Sequence, residues 1–509
     1  MFKFRHFLYM KRFYKLNHLP LFLFLCFLLI ACSGEKKVSP GGDSENQSDI
    51  SIDRDLKKIK EDGVLTILTL YNSTSYFLYR GKTMGFEYEM VERLAKSLDL
   101  ELRIKVADKF EDLFTMLNSG KGDMIAFGLS ITQKRKNKVA FTNYHYLTHQ
   151  VLVQRMPKNW RRLPGYKIKR HLVSDPIELI GDTVHIRKNT SYYERIQNLE
   201  QEIGGKIYIQ PVDGNKTTDD IINMVVDGEI DYTVADYNLA SVNKTYHPIL
   251  DIGTEISFSQ RIAWAVRKNS PELLNAVNQW IETSKKKDFY YVLYNKYFKN
   301  KRRYRRQIVS KFYSKNEGRI SPYDQLIRDN SKALKWDWRL VSSLIYQESR
   351  FDRHNKSWAG AGGLMQIMPA TAKELGLKNI SDPGDNIRAG TIYLHKMFKR
   401  FDKVRDSTQR IKFAMASYNC GYGHVRDAQR LAEAFGKDPL RWDGNVEEYI
   451  LKLAKREYFT NPNVRYGFVR GAEPYNYVRD IFRRYEHYRK LIPFEAEENA
   501  AKDKNVATR

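Results

Sequence analysis

Cysteine is almost absent from this 509-residue chain: of three, Cys26 and Cys32 fall near the start and only Cys420 lies in the remainder. A disulfide within the body of one chain is thereby excluded, although large domains fold in oxidising compartments without one. No Cys/His spacing suits a metal, so neither a metal nor another cofactor is expected. The apolar run Leu19–Ala31, interrupted by Pro20, is too short to cross a bilayer comfortably. Acidic residues are outnumbered, 60 against 86 Lys and Arg, giving a formal net charge of +26. Such a surplus attracts polyanions. No nucleic-acid-binding motif accompanies it, and nucleic acid is not expected as a partner.

The start of the chain reads as an address. Lys3, Arg5, Lys11, Arg12 and Lys15 precede the apolar run, the pattern of a signal peptide over residues 1–31. The run ends Leu29-Ile30-Ala31-Cys32-Ser33, which resembles a bacterial lipobox and implies lipidation at Cys32. Ser33 in place of Asp favours the periplasmic face of the outer membrane. Residues 32–59 are expected to be a flexible tether, given the Ser, Gly and charge between Ser33 and Asp53. The rest is long enough for two or three domains. Its 33 Tyr residues offer apolar faces with polar tips, suited to sugar or peptide surfaces or to ordinary cores.

From about residue 60 short apolar strands alternate with amphipathic helices: strands at Leu65–Leu70 and Asp123–Gly128, helices at Glu89–Leu98 and Phe110–Asn118. This alternation predicts an α/β domain with a largely parallel sheet. The stretches Gly85-Phe86-Glu87-Tyr88-Glu89, Leu117 to Asp123, Ile131 to Arg135, Phe141 to Tyr144 and Gly228 to Asp236 resemble the two-lobed periplasmic amino-acid-binding proteins over residues 60–298. The resemblance implies lobe one at 60–152 and 256–298, and lobe two at 153–255. It implies that Arg135 clasps a carboxylate, Asp236 faces an ammonium, and Thr190 opens a helix toward the ligand. Asn189 stands where that family has Gly. Lys299 to Arg306 begins a basic linker, 299–319.

Residues 320–492 show helical periodicity instead. Asp337 is a plausible N-cap, and Leu340, Val341, Leu344 and Ile345 form an apolar stripe that Glu348 continues. A carboxyl at the end of a buried face is expected to have a raised pKa, as a general acid needs. Around it stand Ser357 to Ala372, containing Gly362-Gly363-Leu364-Met365-Gln366, then Ser417-Tyr418-Asn419-Cys420-Gly421, then Glu473-Pro474-Tyr475-Asn476-Tyr477. In order and spacing these resemble the soluble lytic transglycosylases, which have a mainly α, lysozyme-like fold. Residues 493–509 are a charged tail, expected to be disordered.

The resemblance implies a peptidoglycan substrate and Glu348 as catalytic acid and then base. Ser357, Gln366, Tyr418, Asn419, Glu473 and Tyr477 would bind the glycan. The implied product is a 1,6-anhydromuramoyl sugar. The order of modules resembles the membrane-bound lytic murein transglycosylases that carry both, with a wall-derived peptide or amino acid as a possible regulatory ligand of the first. A lysozyme-type hydrolase and a non-catalytic wall-binding sensor remain alternatives.

Overall fold

The computed structural model describes residues 52–300, 310, 312–313, 318–492 and 494. The signal peptide, Cys32, most of the tether and linker and nearly all of the tail lie outside them. The first half folds as two α/β lobes. In lobe one the sheet runs, in spatial order, Glu101–Val106, Val64–Thr69, Met124–Ser130, Gln260–Val266 and Ala140–Phe141, with Tyr146–Thr148 also paired to Gln260–Val266. The first three strands are parallel, and Gln260–Val266 returns antiparallel from lobe two. Lobe two has the order Tyr208–Val212, Thr183–Arg187, Tyr232–Asp236, Gln150–Arg155 and Leu250–Asp251. Its sheet is covered by apolar faces such as that of Ser191–Ile203, which buries Tyr192, Ile196 and Leu199.

Two boundaries differ from expectation. Gln150–Arg155 pairs with Tyr232–Asp236, so the chain enters lobe two before residue 153. The folded body also begins within the expected tether. Arg54 pairs with buried Asp123 at 2.7 Å. Asp55 caps the helix Leu56–Asp62 and also accepts from the amides of Glu272 and Leu273, at 2.9 and 2.8 Å. These anchors join residues 69 to 218 positions apart, a separation that local composition does not encode.

The second half is helical, with no strand among its described residues. One core holds Trp338–Ser349, Pro383–Lys399, Ser407–Cys420, Tyr422–Ala434 and Ala472–Leu491. Leu340, Val341, Leu344 and Ile345 are buried in it as the stripe predicts. So is Leu78, which comes from lobe one. It lies in the hairpin Phe77–Tyr79/Lys82–Met84, whose turn carries Arg80 and Gly81. The Gly81 carbonyl accepts the Tyr488 hydroxyl at 3.0 Å. Glu101 of lobe one receives Arg479, at 3.0 Å, and Arg483 from the last long helix. The two modules thus share core as well as surface. Among the described residues no helix is long and apolar enough to cross a membrane.

Candidate active site and ligand cleft

Trp338–Ser349 starts under the side chain of Asp337, which accepts from the Arg339 amide at 2.9 Å. It ends at Arg350 and Phe351, two consecutive non-glycine residues with φ of 53° and 64°. Left-handed backbone costs about 1 kcal/mol or more per such residue, so packing must hold the turn. Phe351 supplies it by resting against Tyr346, ring centroids 5.8 Å apart. Ser349 ties the helix end to the following loop by donating to the Leu364 carbonyl at 2.8 Å.

Glu348 sits in this last turn, partly exposed, with its carboxyl crowded by protein. Burial pushes its pKa up to about 7, and a hydrogen bond from the Tyr477 hydroxyl to Oε1 pulls the other way. No neighbouring carboxylate contributes to the shift. Tyr418 feels the charge of Glu348 while its hydroxyl donates to the Met365 carbonyl at 2.6 Å. Glu348, Tyr477 and Tyr418 therefore form one cluster, drawn from three separate helices.

The other expected glycan-binding residues divide. Ser357 and Gln366 shape the loop between them. The Ser357 hydroxyl accepts from the Ala361 amide at 3.0 Å. Gln366, itself at φ 47°, donates from Nε2 to the carbonyls of Asn355 and Gly363 at 2.9 and 2.8 Å. Asn419 is exposed beside Tyr418. Glu473 is exposed one turn before Tyr477, pairs with Arg470 at 3.6 Å and shares no hydrogen bond with Glu348. Cys420 is half-buried, and its surroundings push the thiol pKa up to about 12. Unforeseen was Asn386, fully buried, which clamps the loop from three sides. Its Oδ1 accepts from the Met365 amide at 2.8 Å, and Nδ2 donates to Ile380 and Gly362 carbonyls at 2.9 and 3.1 Å. A Cβ on Gly363 would come within 2.2 Å of that amide nitrogen, so the loop requires glycine there.

Between the lobes lies a cavity lined by Arg135, Thr190 and Asp236 together with Arg187 and Phe110. Arg135 is buried, donates to the Ser130 carbonyl at 2.9 Å and lies over the Phe110 ring at 5.0 Å. Burial raises Asp236 to about 7, with Tyr192 and Arg135 opposing that rise, and its Oδ1 has no hydrogen-bond partner. Thr190 turns its hydroxyl to the Arg187 carbonyl at 2.8 Å. Asn189 adopts φ 58°, a conformation Asn tolerates better than most residues, and reaches across to Glu111 at 2.7 Å. Ser73 donates to Asp219 from its amide and hydroxyl at 2.9 and 2.8 Å. These bonds hold the two lobes closed on each other.

A two-lobed α/β module is thus followed by a helical domain with a half-buried carboxyl at a helix end. Residues 65–300 match the bacterial extracellular solute-binding proteins, family 3, and residues 325–440 match the transglycosylase SLT domain. The chain belongs to the membrane-bound lytic murein transglycosylase F family. It is 34% identical to the member from Desulfosudis oleivorans over 85% of this chain and 91% of that one. With the Vibrio cholerae member it shares 32% identity over 87% of this chain and 82% of that one. Among solved structures, the first module is similar to a P235GK mutant of ArgBP from T. maritima, at 27% identity and TM-score 0.40, covering 48% of this chain and 98% of that one. The protein is accordingly a lytic murein transglycosylase with a solute-binding-like first module.

Proposed function

We propose that Glu348 carries out both proton transfers of a lytic cleavage of peptidoglycan. Protonated, it gives its proton to the oxygen bridging N-acetylmuramic acid and N-acetylglucosamine. The muramoyl acetamido oxygen steadies the positive anomeric carbon. The carboxylate then takes the proton of the C6 hydroxyl, which attacks C1 and closes a 1,6-anhydro ring. The observation that carries this reading is a carboxyl raised to about 7 by burial and by no second carboxylate. Two-carboxylate hydrolysis places its partner about 5–9.5 Å away, whereas a single acid suits an attack from within the sugar. Tyr477 and Tyr418 orient the acid and the sugar. Ser357 and Gln366 hold the loop that frames it, and Asn419 and Glu473 meet the glycan from the exposed rim.

Mass spectrometry of products from purified sacculi tests the chemistry. The anhydro product is lighter than a hydrolase product by one water. Reducing ends from the parent enzyme would favour the lysozyme-type alternative, and abundant anhydro product from Glu348→Gln would remove the single-acid mechanism. Binding to sacculi without turnover would favour the wall-binding sensor.

The first module binds a wall-derived amino acid or peptide through Arg135, Asp236 and Thr190, and regulates the second. Support comes from one continuous segment. Asn72, Thr74 and Ser75 line the cleft, and a few residues later Gly81 abuts Tyr346 and Phe351 at the end of the Glu348 helix and Tyr488 of the last long helix. Turnover measured with and without ligand tests this, and an unchanged rate at saturation excludes regulation. Acylation at Cys32 holds the enzyme at the periplasmic face of the outer membrane. Detergent partitioning that is lost in Cys32→Ala checks that placement.

A further inference from the structure

The cleft holds more positive charge than an ordinary amino acid can neutralise. An α-carboxylate answers Arg135 and an α-ammonium answers Asp236. Arg187 is then left over. It is 5% exposed and lies over the same Phe110 ring as Arg135, at 5.7 Å. One of its nitrogens, Nη2, donates to the Gly214 carbonyl at 3.0 Å, while Nε is buried with no partner. A buried guanidinium with an idle donor is costly unless an anion meets it. None of the nearby carboxylates forms an ion pair with it. Glu111, whose charge acts on Arg187 most strongly, accepts from Asn189 through Oε1, keeps Oε2 buried without a hydrogen bond, and lines a neighbouring groove. Asp219 accepts from Ser73 and Asn243. No ion pair to Arg187 is formed among the described residues.

We infer that the cleft is built for a free amino acid with a carboxylate in its side chain, and that Arg187 is the residue that selects it. This rests on the reading of the cleft as a ligand site and adds the ligand's class. Two guanidinium groups stacked on one phenyl ring fit two carboxylates of one ligand, each accepting charge-assisted hydrogen bonds. Thr190, bonded to the Arg187 carbonyl, fixes the backbone between the two anchors.

Calorimetry on the purified full chain decides it, with L-glutamate, D-glutamate, L-glutamine and L-arginine as probes. Glutamine has nearly the shape of glutamate without the charge. At least one glutamate enantiomer should bind about tenfold or more tighter than glutamine. Arg187→Gln should bring glutamate down to the level of glutamine measured on the same variant. Arg187→Lys should retain most of the preference, which guards against a misfolded first variant. Equal or tighter binding of glutamine or arginine by the parent overturns the assignment and leaves the cleft a ligand site. A glutamate preference that persists in Arg187→Gln also overturns it. Glutamate binding that survives Arg135→Gln rejects the cleft as its site, and no binding of any probe overturns the assignment.

Discussion

The hydroxyl of Tyr477 donates to Oε1 of Glu348, joining the last long helix to the end of the helix Trp338–Ser349. The bond stabilises the ionised carboxylate, so it opposes the rise that burial causes. In the proposed mechanism this acid acts when protonated, so activity should fall as pH rises through about 7. Tyr477→Phe removes the opposing bond. The alkaline limb of kcat/KM should move upward by about one to two pH units, since a hydrogen bond to a charged group contributes about 1.5–3 kcal/mol. The rate at neutral pH should also drop, because the carboxyl loses its orienting partner. A limb that stays in place or moves downward would show that Tyr477 does not tune the acid.

Glu348 also makes stability depend on pH. In the folded chain it keeps its proton to about pH 7, whereas the unfolded chain releases it near 4.5. The native state thus loses stability as pH rises through that window. Glu348→Gln has no charge to bury. It should match the parent near pH 4 and exceed it at pH 8 by about 1–3 kcal/mol, after allowance for the partial exposure of the group. Thermal midpoints of both proteins at the two pH values check this, and a variant less stable than the parent at pH 8 would contradict it.

The Glu348 helix was legible because its information is local. Leu340, Val341, Leu344 and Ile345 mark the buried side at helical spacing, and a carboxyl four residues past Leu344 has to emerge at the edge of that side. The α/β alternation of the first half was legible for the same reason. What stayed hidden is carried by contacts between distant residues. Asp55 caps a helix that begins 216 positions later, at Pro271. Gly81 meets Tyr488 across 407 positions. Asn386 resembles any polar residue near a helix start, until its side chain is seen fixing the loop before Gln366. Arg187 gave no signal of its own, closing a strand in which Val184 and Ile186 alternate with Thr183 and His185.

At Gly81 lobe one packs against the end of the Glu348 helix. Its φ is +69°, and a Cβ would lie 2.6 Å from the Tyr488 hydroxyl and 2.8 Å from the Phe351 ring. Gly81→Val should therefore push the hairpin away from Phe351 and Tyr346, at a cost of about 1–3 kcal/mol. Turnover of sacculi should fall severalfold, while calorimetric binding in the cleft, which Gly81 does not line, stays within twofold of the parent. Full activity in this variant would show that the hairpin contact does not shape the Glu348 site.

Asp236 gives the ligand cleft its own pH dependence. Burial raises its pKa to about 7, so in the empty cleft it is largely neutral at mildly acidic pH. An incoming α-ammonium needs the ionised form. Below about pH 7 binding must first drive off a proton, and affinity should climb by up to about tenfold per pH unit until the group is ionised. Above that point it should level off. The proton is released on binding, so calorimetry at pH 6 in two buffers of different ionisation enthalpy should give different heats. Asp236→Asn should flatten the profile and weaken binding throughout. An N-acetylated ligand, having no ammonium, should lose the rise between pH 6 and 8. If the parent binds a free amino acid equally well across that range, the ammonium is not held by Asp236 and the ligand must sit in the cleft in another orientation.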